Sequence, residues 1–419
     1  MARHPYAIAA TLALLVRLVL LFARHTYIFD SPDPFAFGME SGSIARSVAA
    51  GEGFSSPFRG STGPTAWIAP LYPYLCALIF RFFGIYSHAS AACMLAINSL
   101  ASALTCFAIG GIARCTVGER VGVISAFVWA LLPHFAKWPT EWVWDMAASA
   151  LLVACVWWLT LLLAAEPSRR NWLAFGALWA VITLTNPSLL TLLPISAIWL
   201  AVRSREGRFW RHAGAAALVC AVLVMPWMAR NRAVMGRWVF VRDNFGFEFH
   251  LGNYHGSNGM GWRGLHPAVN PAEYERYRRL GELQYIAQTG RAAREFVAAY
   301  PDEFLRLCAT RAAAFWDGTS LLFDRRPAPW TVATFAGFSL IALFGLLWAT
   351  AKRVPGVALF WWIPLYPLPY YITYPQPRYR HAVEPEMLLL AVFFLSSVAA
   401  GVHGALRSRA AKKHSAALA

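Results

Sequence analysis

Four groups of ionisable residues stand at the ends of long apolar runs and are far apart in sequence. Asp30, Asp33 and Glu40 follow the first run, and Lys137, Glu141 and Asp145 precede the fourth. Arg230, Asn231 and Arg232 end the seventh, while Arg378, Arg380, His381 and Glu384 precede the tenth. Brought together, the carboxylates can abstract a proton and the cations can form a pocket for phosphate. Each group also has a plain structural reading. Acidic residues beside a span can simply be solvated, and Glu40 opens a predicted helix (Glu40 to Ala50), where the macrodipole favours a carboxylate anyway. Arg378, Arg380 and His381 could snorkel to lipid headgroups, and Arg230 and Arg232 could be interfacial anchors. Asp145, between Trp144 and Met146 at the mouth of an apolar run, is costly to place there and is the stronger functional candidate. Glu141, one helical turn earlier, shares its face. His250, His255 and His266 lack metal-ligand spacing, so no metal is expected. No Walker loop or GxGxxG sits in a segment read as cytoplasmic, which leaves nucleotide use and any cofactor unsupported.

The elements that must position these groups are membrane helices. Of 419 residues, 58% are hydrophobic and only 14% charged, with 19 Trp and 28 Phe. Soluble domains carry roughly 25% charge, so a water-facing surface is excluded. Disorder and a disulfide-stapled secreted domain are excluded too, because apolar residues dominate, and the seven cysteines show no paired spacing. A net charge of +16 raises the possibility of nucleic acid. The charges sit in short loops between apolar runs, where they orient a membrane protein and attract anionic lipid, so no nucleic-acid partner is expected. Apolar runs predict ten spans, at 7–23, 89–112, 121–136, 147–165, 172–185, 188–202, 213–229, 329–350, 354–372 and 385–404. The first reads as an uncleaved anchor, since it lacks a small-x-small cleavage site. The stretch 66–84 is broken by Pro70 and Pro73, and its remainder, Leu71 to Phe83, is too short to span; it reads as an interfacial helix.

Charge sets the orientation. With that helix lying on the surface, one side collects Arg3, Arg114, Arg120, Arg169, Arg170, Arg203, Arg205, Arg208, Arg211, Lys352, Arg353, Arg407, Arg409, Lys412 and Lys413. Only Glu119, Glu166 and Glu206 oppose them. The positive-inside rule makes this side, and both termini, cytoplasmic, in what fits a bacterial inner membrane with the polar clusters facing the periplasm. The chain then divides into 1–229, a transmembrane module with the outer loop 24–88; 230–328, an extracytoplasmic region; and 329–419, the last helices and a basic tail. Within the second part, Asn270-Pro271 starts a helix running to about Ala299, and another begins at Pro301. Phe245 to Pro267 has no clear periodicity and reads as a lid or substrate-binding loop, with Asn253 and His255 as candidate contacts.

These residues resemble a known family. Phe37-Gly-Met-Glu40-Ser-Gly-Ser-Ile-Ala-Arg-Ser-Val, Gly51-Glu-Gly-Phe54-Ser-Ser-Pro57-Phe58 and Gly63-Pro-Thr-Ala-Trp67-Ile-Ala-Pro70-Leu-Tyr-Pro73 are similar to the first outer loop of family 39-type glycosyltransferases of the GT-C superfamily, with the protein O-mannosyltransferases and the lipid A aminoarabinose transferase. Trp144-Asp145, Thr185-Asn-Pro187, Pro226-Trp227, Arg230-Asn-Arg232, Arg378-Tyr-Arg-His381 and Glu384-Pro385 continue the resemblance through most of the chain, with 240–325 less diagnostic. It implies an all-α GT-C bundle, a polyprenyl-phosphate-linked sugar donor and a catalytic carboxylate in the first outer loop. Many members carry an Asp-Glu pair there, and the Asp would fall near Phe37; Glu40, Asp33 and Asp30 remain as bases, with Glu40 inside the matching motif.

The mechanism that follows is an inverting, metal-independent transfer to a glycan, lipid or protein acceptor. Glu40 deprotonates the acceptor and Asp145 orients it or holds the cationic pocket. Arg380, Arg378, His381, Arg232 and Lys137 stabilise the leaving phosphate. Trp67 and Tyr72 guide the prenyl chain, and Glu384 contacts substrate. The alternatives are a sugar-lipid transporter, a diphosphate-donor polymerase or ligase, and a non-catalytic assembly factor. Transport is disfavoured because the mid-span charge is nearly confined to Arg17 and no two halves match.

Overall fold

The computed structural model describes residues 4–29, 37–203, 209–261, 263–319 and 327–418. Asp30 and Asp33 lie outside these residues, as do Arg3, Arg205, Glu206 and Arg208. Among the described residues the structure is helical, with a single isolated β-bridge between Ser55 and Pro64. Helix α1 (His4–Ala23) is followed by a long connection carrying α2 (Met39–Ala49) and α3 (Leu71–Phe83). Then come α4 (His88–Cys115), α5 (Glu119–Leu131), α6 (Pro133–Glu141), α7 (Met146–Ala165) and α8 (Arg169–Thr185). A 3-10 turn at Pro187–Thr191 leads into α9 (Leu192–Arg203), and α10 spans Phe209–Met235. A second long connection holds α11 (Phe245–Gly252), α12 (Pro271–Leu280), α13 (Glu282–Ala299) and α14 (Pro301–Asp317). Last are α15 (Pro329–Ala351), α16 (Val357–Phe360), α17 (Leu368–Ile372), a 3-10 turn at Pro377–Val383 and α18 (Glu384–Leu418).

Local chemistry sets several boundaries. Ser87 accepts from the Ser90 amide at 3.0 Å to start α4, and Asn270 accepts from the Ala272 amide at 2.9 Å ahead of Pro271 to start α12. Gly281 (φ +74°) divides the single helix expected over 270–299 into α12 and α13. Within the stretch expected to be aperiodic, Phe245–Gly252 forms a helix. Helix α3 matches its expected bounds; at 13 residues it is roughly 20 Å long, short of a ~30 Å hydrocarbon core. It buries Tyr72, Cys76, Ala77, Ile79 and Phe80 while exposing Leu78 and Phe82, an apolar outer face suited to lipid.

Among the described residues, six helical segments are long and apolar enough to cross a membrane: α1, α4, α7, α10, α15 and Pro377–Ala405. A seventh is counted if α5 and α6, bent by 52°, form one span. Uninterrupted helices therefore do not reach the expected ten. Helices α8 and α9, at 17 and 12 residues, are short, and the expected span 354–372 is broken into α16, a run of turns and α17. Pro355, Pro364, Pro367 and Pro369 remove amide donors from that stretch. One face of this irregular stretch packs against protein, with Phe360, Trp362 and Tyr366 buried, while Trp361, Leu365 and Leu368 are exposed on the other; irregular backbone at membrane depth is tolerated where protein covers it.

The α5–α6 bend has a specific support. Pro133 cannot continue the helix and holds Leu132 extended (ψ 124°), leaving the last carbonyls of α5 without helical partners. Arg17, fully buried in α1, donates to the carbonyls of Trp129 (2.9 Å), Ala130 (3.1 Å) and Phe135 (3.2 Å), and to Ser102 Oγ (3.0 Å). A cation at a helix C-terminus also suits the macrodipole.

The two long connections pack on each other through Phe58, Trp67, Phe247, Tyr277 and Tyr285, with Trp227 of α10 joining the cluster. Glu282 accepts from the Ala66 amide (2.6 Å), Tyr277 Oη (2.7 Å) and Thr65 Oγ1, and Arg230 donates to the Thr65 carbonyl at 2.7 Å. Residues 65–67 are thereby clamped beside the cavity described below. Replacing Arg17 by Leu leaves three buried carbonyls unpaired and should cost about 3 kcal/mol. Thermal unfolding of the detergent-purified protein should show Arg17→Leu melting several degrees lower, with Arg17→Lys in between.

Candidate functional site

A cavity of about 460 Å³ opens where α2, the start of α7, the Pro187–Thr191 turn, the second long connection and the segment 369–379 meet. Glu40 enters it from the first turn of α2. Gly38 (φ +72°) makes the entry possible, since a Cβ there would lie 3.2 Å from the Val143 carbonyl oxygen. Met39 follows at φ +49°, a left-handed conformation that costs about 1–3 kcal/mol in a non-glycine residue and is typical of functional sites. Glu40 Oε1 lies 3.1 Å from His266 Nε2. Burial alone would raise the Glu40 pKa, but the His266 hydrogen bond and the pull of that ring, its own amide and Arg378 hold it below the usual carboxylate value.

Asp145 sits at the N-terminus of α7, buried, and accepts from Ser149 Oγ at 3.3 Å. Asn186 Nδ2 donates to that same Ser149 oxygen at 3.4 Å. Burial pushes the Asp145 carboxyl up to about 6, against the opposing effects of Arg242, Ser149, Arg378 and Asn186. Arg378 lies over the rings of Trp142 (5.1 Å), Trp144 (5.6 Å) and Tyr379 (5.4 Å). Its Nε and Nη1 are buried without a hydrogen-bond partner among the described residues. A buried guanidinium with unused donors is costly, and a bound anion would satisfy it. Arg242 and Glu248 complete the charged lining. Glu248 accepts from Tyr374 Oη and Asn244 Nδ2, each at 2.7 Å, and Arg242 Nη2 is 3.5 Å from it. Trp67 and Tyr72 also line the cavity.

The structure thus brings together Glu40, Asp145, Arg378, Trp67 and Tyr72 of the residues singled out in sequence. Arg380, His381 and Glu384 face elsewhere. Glu384 pairs with Arg380 (3.1 Å), His381 (2.8 Å) and His134 (3.0 Å). Arg380 also donates to Ser339 Oγ at 2.8 Å and the Phe335 carbonyl at 3.0 Å, closing a cluster in which Arg380, His381 and Glu384 are fully buried. Arg232 donates to the Gly236 carbonyl at 2.6 Å, and Lys137 lies 5.0 Å over the Trp138 ring. Glu141 pairs with Arg24 at 2.6 Å. Asn253 is buried and donates to the carbonyls of Phe249 and Ile372 at 2.7 Å each, while His255 is exposed beside the Tyr300 ring. Arg242, Glu248 and Tyr374 carry no sequence signal of their own, and the spacing of His266 speaks only to metal. Among the described residues, no three His, Cys, Asp or Glu side chains are grouped as a metal site requires.

A second, apolar cavity of about 580 Å³ lies between α8, α9 and α10, walled by Trp172, Phe175, Trp179, Leu193, Ala216 and Val224. Leu190, on the 3-10 turn, lines both cavities.

The family described as dolichyl-phosphate-mannose-protein mannosyltransferase matches residues 67–229. No curated protein matches the sequence. Two structures of the Archaeoglobus fulgidus oligosaccharyltransferase are similar in fold. The AglB complex with an inhibitory peptide and a dolichol-phosphate is 14% identical, with a TM-score of 0.53 over 97% of this chain and 52% of that one. The apo form is 14% identical, with a TM-score of 0.56 over the same shares. The chain therefore spans about half the length of these archaeal proteins. ArnT from Cupriavidus metallidurans bound to undecaprenyl phosphate is 15% identical, with a TM-score of 0.46 over 96% of this chain and 79% of that one. In architecture this multi-pass, all-helical chain has the GT-C fold.

Proposed function

We propose that this protein is a membrane glycosyltransferase that moves a sugar from a polyprenyl-phosphate donor to an acceptor hydroxyl at the outer membrane boundary, with inversion and without a metal. The reading rests above all on one observation: Arg378, with two unpartnered buried nitrogens, shares a cavity with the carboxylates of Glu40 and Asp145. The family match and the dolichol-phosphate held by a protein of similar fold support a lipid-phosphate donor. The apolar cavity adjoining at Leu190 is the natural place for the prenyl chain. The charge bias of the short loops supports a plasma-membrane protein with both termini inside and this cavity outside.

In this mechanism Arg378, with Arg242, takes the donor phosphate. Glu40 accepts the acceptor's proton as the acceptor oxygen bonds to the anomeric carbon. The bond from that carbon to the phosphate oxygen breaks, and its electron pair leaves with the lipid phosphate. The lowered pKa keeps Glu40 ionised at neutral pH. Ionised Asp145 accepts a hydrogen bond from the acceptor and orients it. Arg380, His381 and Glu384 hold the turn that presents Arg378, and the roles sketched for Arg232 and Lys137 pass to Arg378 and Arg242.

Purified protein incubated with a panel of polyprenyl-phosphate sugars should consume one of them, and Glu40→Gln should lower turnover about 10²–10⁴-fold. A folded protein that consumes none, with acceptor supplied, would overturn the reading. Chelator should leave turnover intact. Arg378→Gln should raise the donor KM about tenfold with little change in melting temperature, whereas Arg380→Gln should lower the melting temperature. The Asp145 carboxyl is held up to about 6, so activity that needs its charged form rises with pH through about 6. Asp145→Asn should be slower and should lose that step in the pH–rate profile.

A further inference from the structure

His266 comes from the second long connection, between α11 and α12, and meets Glu40 from the first. Its ring stands edge-on to Phe58 (5.5 Å), Phe247 (5.3 Å) and Trp67 (6.5 Å), which fix its plane. The two ring nitrogens face different partners. The Ala268 amide donates to Nδ1 at 3.1 Å. An amide N–H can only donate, so Nδ1 is the acceptor and carries no proton. The single proton of the neutral imidazole is then on Nε2, which points at Glu40 Oε1 from 3.1 Å.

This arrangement excludes one role and defines another. In a dyad where histidine is the base, the carboxylate takes one N–H and the other nitrogen receives the substrate's proton. Here the second nitrogen is occupied by a backbone donor, and the first faces the carboxylate, so the ring has no lone pair turned toward an acceptor. We propose that His266 is a positioning residue: its Nε2–H fixes one oxygen of Glu40, leaving Oε2 as the atom that takes the acceptor's proton. The proposal rests on Glu40 being the base. A carboxylate on the first turn of a short helix has free rotation about its terminal bonds, and a hydrogen bond to one oxygen removes that freedom.

The test uses the full-length protein and the donor it consumes. His266→Phe keeps an aromatic ring among Phe58, Phe247 and Trp67 but removes the N–H; His266→Gln keeps an N–H donor of similar reach. His266→Phe should melt near the wild-type temperature, keep the donor KM within about threefold and lose about 10–100-fold in kcat. His266→Gln should recover most of that loss. In a Glu40→Gln background, where the oriented carboxylate is already gone, adding His266→Phe should cost less than about twofold. Should the phenyl ring unfold the protein, His266→Met supplies the variant without a donor. Unchanged kcat in the folded variant lacking the donor, no recovery with Gln, or an undiminished loss in the Glu40→Gln background would each overturn the positioning role. Those results presuppose an active wild type; a wild type that turns over no donor overturns the proposed function itself and this role with it.

Discussion

The carboxylate of Glu384 is the joint on which the site's geometry depends. At the start of α18 it gathers Arg380 and His381 from the preceding turn and His134 from α6, while Arg380 reaches Ser339 and the Phe335 carbonyl on α15. A buried ion cluster of this kind contributes little net stability compared with apolar packing, because desolvation offsets the attraction. Its use is geometric: the surrounding elements are held in one arrangement because any other leaves a buried charge unpaired. Arg378, two residues before Arg380, is thereby fixed in the cavity with donors it cannot use internally. The cluster pairs its charges internally, whereas Nε and Nη1 of Arg378 have no hydrogen-bond partner among the described residues.

The same division between groups that hold and groups that act recurs in the membrane region. The bend between α5 and α6 and the breaks in 354–372 expose backbone groups that water cannot reach. Arg17 meets the first need with its guanidinium, and aromatic packing around Trp362 and Tyr366 covers the inner face of the second. Both irregular stretches lead toward the cavity, one into Trp142–Asp145 and the other into 369–379. A bundle of straight helices would not bring Asp145 and Arg378 to the same wall.

How far the sequence could be read follows from this. Hydropathy finds α1, α4, α7, α10, α15 and α18 because long apolar runs have one stable form in lipid. Charge bias separates α3 from the spans because a wrong assignment would place the Arg203 and Arg211 cluster on the opposite side. Hydropathy also predicts 354–372 as a span, since apolar content is blind to the spacing of prolines. At the site, Glu40, Asp145, Arg378, Trp67 and Tyr72 are legible as unusual residues at the ends of runs. Arg378 and Arg380 cannot be told apart, because which neighbour in a tight turn faces inward depends on partners on α6 and α15. His266 has no legible role for a similar reason: its meaning lies in one carboxylate and one amide that only the folded chain brings to it.

These placements bear on the competing readings. Transport draws on intramembrane charges that bind cargo or move between states. Arg17 is committed to five oxygens of its own bundle, and the charges around Glu384 are paired with one another, so neither offers a free charge to a passing substrate. A purely structural membrane factor meets the opposite difficulty. Left-handed Met39, the unpartnered nitrogens of Arg378 and the buried carboxyl of Asp145 each cost stability. All three meet at one cavity. Local strain, a buried carboxyl and unused guanidinium donors meeting at one cavity are a costly combination for a purely structural role, and they suit the binding of an anion.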